Sequence, residues 1–152
     1  SRAGPGTVFI GHAGNSDVVD FLKHVLDSFA IPYRVVESDF DSNRPIAPGV
    51  SQEMRACDAG ILVFASPADL EWTGRREEKR MEKMLYQLGA ASALYGDRIV
   101  SVHETDTPGQ SQAAAFDAIV FQRDQLDQLG LPLLSELHRR GVIEVRAAGR
   151  AH

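Results

Sequence analysis

The segment Ala59-Gly60-Ile61-Leu62-Val63-Phe64 contains no polar side chain. Such a run does not alternate, so it leaves no face for water. A strand of this kind must be covered on both sides, as a central strand of a parallel sheet is. Similar runs flank it along the chain. Thr7-Val8-Phe9-Ile10 ends at Gly11, and Tyr33-Arg34-Val35-Val36-Glu37 follows Pro32. Arg98-Ile99-Val100-Ser101-Val102 and Ala118-Ile119-Val120-Phe121 come later. Helical patterns separate these runs. Ser16 is a suitable N-cap with Asp17 in the first turn, and Val18, Phe21, Leu22, Val25, Leu26 and Phe29 then recur at helical spacing up to Pro32. Val50 to Cys57 reads as a short helix. Arg75 to Tyr95 reads as a long one, with Met81, Met84, Leu85, Leu88, Ala91 and Leu94 on one side and Gly96 as its cap. Pro132 to Arg140 is the last helix, closed by Gly141, and Val142 to Val145 suits a short extra strand.

Strands alternating with helices predict an α/β chain. The expected architecture is a flavodoxin-like three-layer fold, a five-stranded parallel sheet with helices on both faces. In such sheets the ligand crevice lies beyond the carboxyl ends of the strands. Three loops should line that rim: Gly11 to Asn15, the polar stretch Ser38 to Gly49, and Ala65 to Gly74. His103 to Asp117 reads as another polar stretch.

The 152 residues suit one domain. We expect a linker remnant at 1–6, the domain at 7–146 and a tail at 147–152. With 16 basic and 21 acidic residues, the net charge of −5 argues against a nucleic-acid interface. No apolar run approaches the ~18 residues of a membrane span, so no membrane partner is expected. The single cysteine, Cys57, has no internal partner and suits a reducing, cytoplasmic setting. The five histidines (His12, His24, His103, His138, His152) show no metal-ligand spacing, and neither metal nor cofactor is expected.

Candidate functional residues fall on the rim loops. Gly11-His12-Ala13-Gly14 combines glycines, which let a backbone approach a ligand closely, with a following helix N-terminus that favours an anion. It is equally readable as a plain tight turn, and His12 as a surface histidine. Arg44 could hold a phosphate bidentately or stand in solvent. The third loop offers Ser66, Asp69 and Trp72, and the tryptophan could stack on a base or plug the core. Arg75 to Arg80 reads as a solvated helix face with acid–base pairs. Gln87, among apolar and small neighbours, is either the partner of a buried backbone group or a crevice residue.

Four pieces in order carry a family resemblance. They are Val8-Phe9-Ile10-Gly11-His12, Asn43-Arg44-Pro45-Ile46, Leu62-Val63-Phe64-Ala65-Ser66-Pro67-Ala68-Asp69 and Leu85-Tyr86-Gln87-Leu88-Gly89-Ala90-Ala91. Over about residues 7 to 145 the chain resembles the bacterial TIR-like nucleotide-binding domain of antiphage effectors, including the Pycsar TIR effectors. The resemblance implies a TIR fold that hydrolyses NAD⁺ to nicotinamide and an ADP-ribose product. It implies that a cyclic-nucleotide sensor elsewhere in the effector drives self-association of TIR domains, which completes the active site. NAD⁺ is then substrate, not cofactor. The implied ligand contacts are Gly11, His12, Ala13, Arg44, Ser66, Asp69 and Trp72.

The chain departs from the family where it matters most. Gln87 stands at the position of the family's catalytic glutamate, so the enzyme is expected to be impaired. Gln87 is either an introduced replacement or a natural one, and Glu78 and Glu82 lie elsewhere on the same helix. Two other readings compete: a nonenzymatic nucleotide-binding or oligomerisation module, and a nucleoside 2-deoxyribosyltransferase-like enzyme.

Overall fold

The computed structural model describes residues 6–14, 16–38, 44–65, 75–105 and 118–143, with backbone alone at 75–77. The elements are β1 (Val8–His12), α1 (Ser16–Ser28), β2 (Tyr33–Glu37), α2 (Pro48–Arg55) and β3 (Ala59–Phe64). They continue with α3 (Arg75–Tyr95), β4 (Ile99–Glu104), β5 (Ile119–Phe121), a 3₁₀ segment (Arg123–Leu129) and α4 (Gly130–Arg139). The five strands form one sheet in the order β2-β1-β3-β4-β5, and every pairing is parallel.

Successive strand residues point to opposite faces, and each face has its own core. On one face Ile10, Ile61, Val63 and Val102 pack with Val18, Leu22 and Leu26 of α1 and Leu133 and Leu137 of α4. On the other, Phe9, Leu62 and Phe64 pack with Met54 of α2 and Met84, Leu88 and Tyr95 of α3. β3 is buried along its whole length, as its unbroken apolar run requires. This is the expected three-layer α/β arrangement.

Several boundaries differ from the sequence reading, each for a local reason. β1 continues through Gly11 and His12, because β2 and β3 supply backbone partners beyond Ile10. α2 starts at Pro48, whose fixed φ and missing N–H suit a first turn. α1 stops at Ser28, and Ala30 turns the chain with φ 56°. Phe29 is therefore exposed rather than part of the apolar face. On α3, Leu94 is exposed and Tyr95 takes the core position, its ring lying against Gly60. β4 runs on to Glu104, which puts His103 inside the sheet instead of in a polar loop. Val142 and Ile143 form a bend packed on the core, not a strand, and 144–145 lie outside the described residues.

Arg123 joins the layers at the carboxyl end of the sheet. Its guanidinium donates to both carboxylate oxygens of Asp17 (2.6 and 2.8 Å) and to Glu104 (2.9 Å). The first turn of α1 is thereby tied to the end of β4. These hydrogen bonds hold the Asp17 carboxyl below its usual range.

Candidate active site

All five strands run the same way, so their carboxyl ends share one rim. The chain leaves β1 toward β2 on one side and later builds β3, β4 and β5 on the other. The crevice of such a sheet lies where these directions part, between β1 and β3. Gly11, His12 and Ala13 stand there.

Gly11 is buried and pairs with Leu62 across to β3. A Cβ on Gly11 would lie 2.6 Å from Gln87 Oε1, 2.8 Å from Leu62 Cδ2 and 2.8 Å from Phe9 Cε2. The absent side chain is the space that the end of Gln87 fills. His12 is buried at the end of β1, beside Glu37 of β2. Its Nδ1 accepts the Gly14 N–H at 3.2 Å, so the neutral ring carries its proton on Nε2. Burial pushes the imidazole pKa down, partly offset by Glu37. Gly14 closes the turn at φ +88°, a conformation that favours glycine.

α3 supplies the facing wall. Its first half leaves the rim, and Arg80, Lys83 and Gln87 form a buried polar stripe along it. The spacing of three and four residues keeps them on one side. Each reaches a different neighbour. Arg80 Nη1 donates to the Ala13 carbonyl at 3.3 Å, and Lys83 Nζ donates to the Arg44 carbonyl. Gln87 Nε2 donates to Ser38 Oγ at 2.6 Å. The helix thus clasps the first loop, the second loop and the end of β2.

Gln87 is 2% exposed, and among the described residues its Oε1 has no hydrogen-bond partner. A buried carbonyl oxygen left without a donor costs on the order of 1–3 kcal/mol, unless something supplies one. His103 shares this feature farther along the same layer. Its ring stacks on Phe64 (centroids 4.2 Å apart), neither nitrogen has a partner among the described residues, and burial pushes its pKa down to about 4.

Of the residues expected at the site, the fold brings Gly11, His12, Ala13 and Gln87 together at the rim. Arg44 is exposed, and its backbone is held by Lys83. Ser66, Asp69 and Trp72 lie outside the described residues. In the helix start expected to be solvated, Glu78 and Lys79 are exposed, but Arg80 is only 1% exposed. The signal was in the spacing: Arg80 stands four residues before Met84 and Lys83 four before Gln87, inside the buried arc. Ser38 was also missed, although a polar residue closing a strand at the rim is a natural crevice group. Glu78 and Glu82 are exposed, and Glu82 accepts the Tyr86 hydroxyl at 2.9 Å. Neither joins the Gln87 cluster. Cys57 is buried, and burial pushes its thiol up to about 11, which leaves it a poor nucleophile.

A second hollow of about 770 Å³ opens at the opposite end of the sheet, among Phe29, Ile31, Pro32, Leu131 and Leu134. Among the described residues its lining is mainly apolar, with His138 as the titratable side chain. It lacks the converging polar groups found at the rim. Among the described residues, no cluster of His, Cys, Asp and Glu side chains is placed to hold a metal ion. None of the described helices is long and apolar enough to cross a membrane.

No individually curated protein matches the chain. The family model for the TIR domain of the CAP12/Pycsar effector protein matches residues 7–117. That span runs from the start of β1 past the end of β4 and includes the whole rim cluster. The chain belongs to the TIR-domain family of CAP12/Pycsar effector proteins.

Proposed function

We propose that this domain is the NAD⁺-cleaving module of an antiphage effector, and that Gln87 leaves it catalytically impaired. The observation that carries the reading is the place of Gln87. It is buried at the switch point of the sheet, pressed against Gly11, with its side-chain oxygen unpartnered among the described residues.

Breaking the nicotinamide–ribose bond develops positive charge on the ribose. A carboxylate at position 87 would stabilise that charge, bind ribose hydroxyls, or attack the anomeric carbon. The glutamine keeps the shape and one hydrogen bond but supplies no negative charge. Removing a charged group from such a site costs about 10²–10³ in rate. Gly11 gives its side-chain space to position 87, Gly14 lets the backbone come close to the diphosphate or ribose, and His12 carries a proton on Nε2. Arg44 in the second loop suits a phosphate or a neighbouring copy. Ser66, Asp69 and Trp72 complete the proposed contacts by their position in the third loop. Self-association, driven by a cyclic-nucleotide sensor elsewhere in the effector, would close the site and switch on NAD⁺ loss.

One observation favours a nonenzymatic binding module instead. The amide of Gln87 is well accommodated, since its Nε2 finds Ser38 at 2.6 Å. The test pairs binding with turnover. The unchanged protein should bind NAD⁺ without consuming it, and Gln87→Glu should convert it to nicotinamide and an ADP-ribose product. Binding by both proteins with turnover by neither would favour the binding module.

A further inference from the structure

We infer that Ser38 is a positioning residue for the side chain at 87, holding a carboxylate there by donating its hydroxyl proton. The inference rests on the reading that a carboxylate at 87 performs the chemistry.

The main chain of Ser38 is fixed first. Its N–H donates to the His12 carbonyl at 2.8 Å, which binds the end of β2 to the strand carrying Gly11 and His12. Its side chain is buried, with the residue 7% exposed. The hydroxyl oxygen accepts from Gln87 Nε2 at 2.6 Å, and the hydroxyl proton points to Met84 Sδ at 3.4 Å. A thioether is a weak acceptor. With glutamine at 87, the hydroxyl is therefore used mainly as an acceptor, and its proton gains little.

A carboxylate reverses this. An O–H donor beside an ionised oxygen prefers about 2.5–2.7 Å, and the observed 2.6 Å separation already lies in that range. The hydroxyl need only rotate from Met84 toward the carboxylate. One carboxylate oxygen is then fixed by Ser38. The other takes the place of Oε1, which is buried beside Gly11 at the rim. The bond also keeps the group ionised. Burial raises the pKa of a carboxyl, and a hydrogen bond donated to its charged form lowers it.

On α3, Arg80 and Lys83 lie on the buried side shared with position 87, whereas Glu78, Lys79, Glu82 and Tyr86 are exposed. His12 of β1 and Glu37 of β2 occupy the strand positions next to Gly11 and Val36 and so point to the other face of the sheet, and Arg34 of β2 pairs with Glu53 of α2 at the surface. β3 contributes Leu62 there and no charge. All remain in place when Ser38 is changed, so they affect the compared proteins equally.

The test uses three versions of the full chain labelled with ¹³C-glutamate: Gln87→Glu alone, and Gln87→Glu combined with Ser38→Ala or Ser38→Thr. The carboxyl introduced at position 87 is the one resonance absent from the unchanged protein, and its titration needs no substrate. Ser38→Ala should raise its pKa by ~1 unit, and Ser38→Thr should restore it. The acid limb of the NAD⁺ cleavage profile should move by the same amount. Equal titration of the introduced carboxyl with serine and alanine at 38 would overturn the inference. The inference and the proposed activity fail in different ways. A pKa shift without NAD⁺ cleavage supports the role of Ser38 and removes the proposed activity. Cleavage with neither the titration nor the pH profile altered by Ser38→Ala removes the role of Ser38 and leaves the activity.

Discussion

Gly11 is where the β1 backbone touches the side chain at position 87, and the contact leaves no room for a methyl group. A Cβ would collide with Gln87, Leu62 and Phe9 at once, and two of these are packed core side chains. Overpacking of this kind costs about 1–3 kcal/mol. Gly11→Ala should lower the urea midpoint accordingly and displace the side chain at 87, with no change in the slope of the transition. An unchanged midpoint would mean that Gln87 does not rest on Gly11. His103 makes a second prediction at this scale. In the fold its pKa is about 4, and its ordinary value is 6.5. Above pH 6.5 both folded and unfolded chains hold it neutral. As the pH falls toward 4, the unfolded chain takes up a proton that the fold refuses, so stability is lost across that window. The loss is on the order of 3 kcal/mol. The lowered pKa of His12 acts in the same direction. Glu136 is held down to about 2 by Arg139 and Arg140, so its contribution is lost only in stronger acid. His103→Phe should flatten the stability profile between pH 6.5 and 4, and a profile as steep as the parent's would count against the assignment.

The helices show how local chemistry sets boundaries. α1 ends in a Schellman turn: Ile31 N–H donates to Leu26 O at 2.9 Å and Ala30 N–H to Asp27 O at 3.1 Å. The left-handed position falls on an alanine, Ala30, with φ 56°. A side chain there costs about 1–2 kcal/mol, and glycine would lose part of that gain to backbone entropy. Ala30→Gly should therefore raise stability by about 0.5–1 kcal/mol, readable as a melting-temperature rise of roughly 2 °C. A lower melting temperature would contradict that turn geometry. Periodicity located α1 well but could not see this turn, because alanine carries no turn signal. α3 shows the converse. Its extent was legible from Arg75 to the Gly96 cap, yet two of its charged residues are buried. Charge runs normally mark a solvated face. At Arg80 and Lys83 the nearby carbonyls of Ala13 and Arg44 override that rule. Such pairings join residues far apart in sequence, and spacing along one helix cannot reveal them.

At the scale of the molecule, the apolar runs determined most of the architecture. Ala59 to Phe64 required cover on both faces, and the alternation of strands and helices required a parallel sheet. The order β2-β1-β3-β4-β5 follows the doubly wound pattern and places the switch point beside Gly11. The rim was legible for the same reason: strand ends are readable, and parallel strands all end on one side. What the chain alone did not reveal was how the rim is held together. The hydrogen bonds from α3 to Ala13, Arg44 and Ser38 arise only once the helix lies across the sheet. Together they carry the central claim, that position 87 is a catalytic position occupied by the wrong side chain for catalysis. The most direct measurement is nicotinamide release from NAD⁺ by the unchanged protein and by Gln87→Glu, each fused to a domain that forces assembly. The account predicts at least a ~10²-fold faster release with glutamate. Equal rates, or NAD⁺ left intact by both, would contradict it.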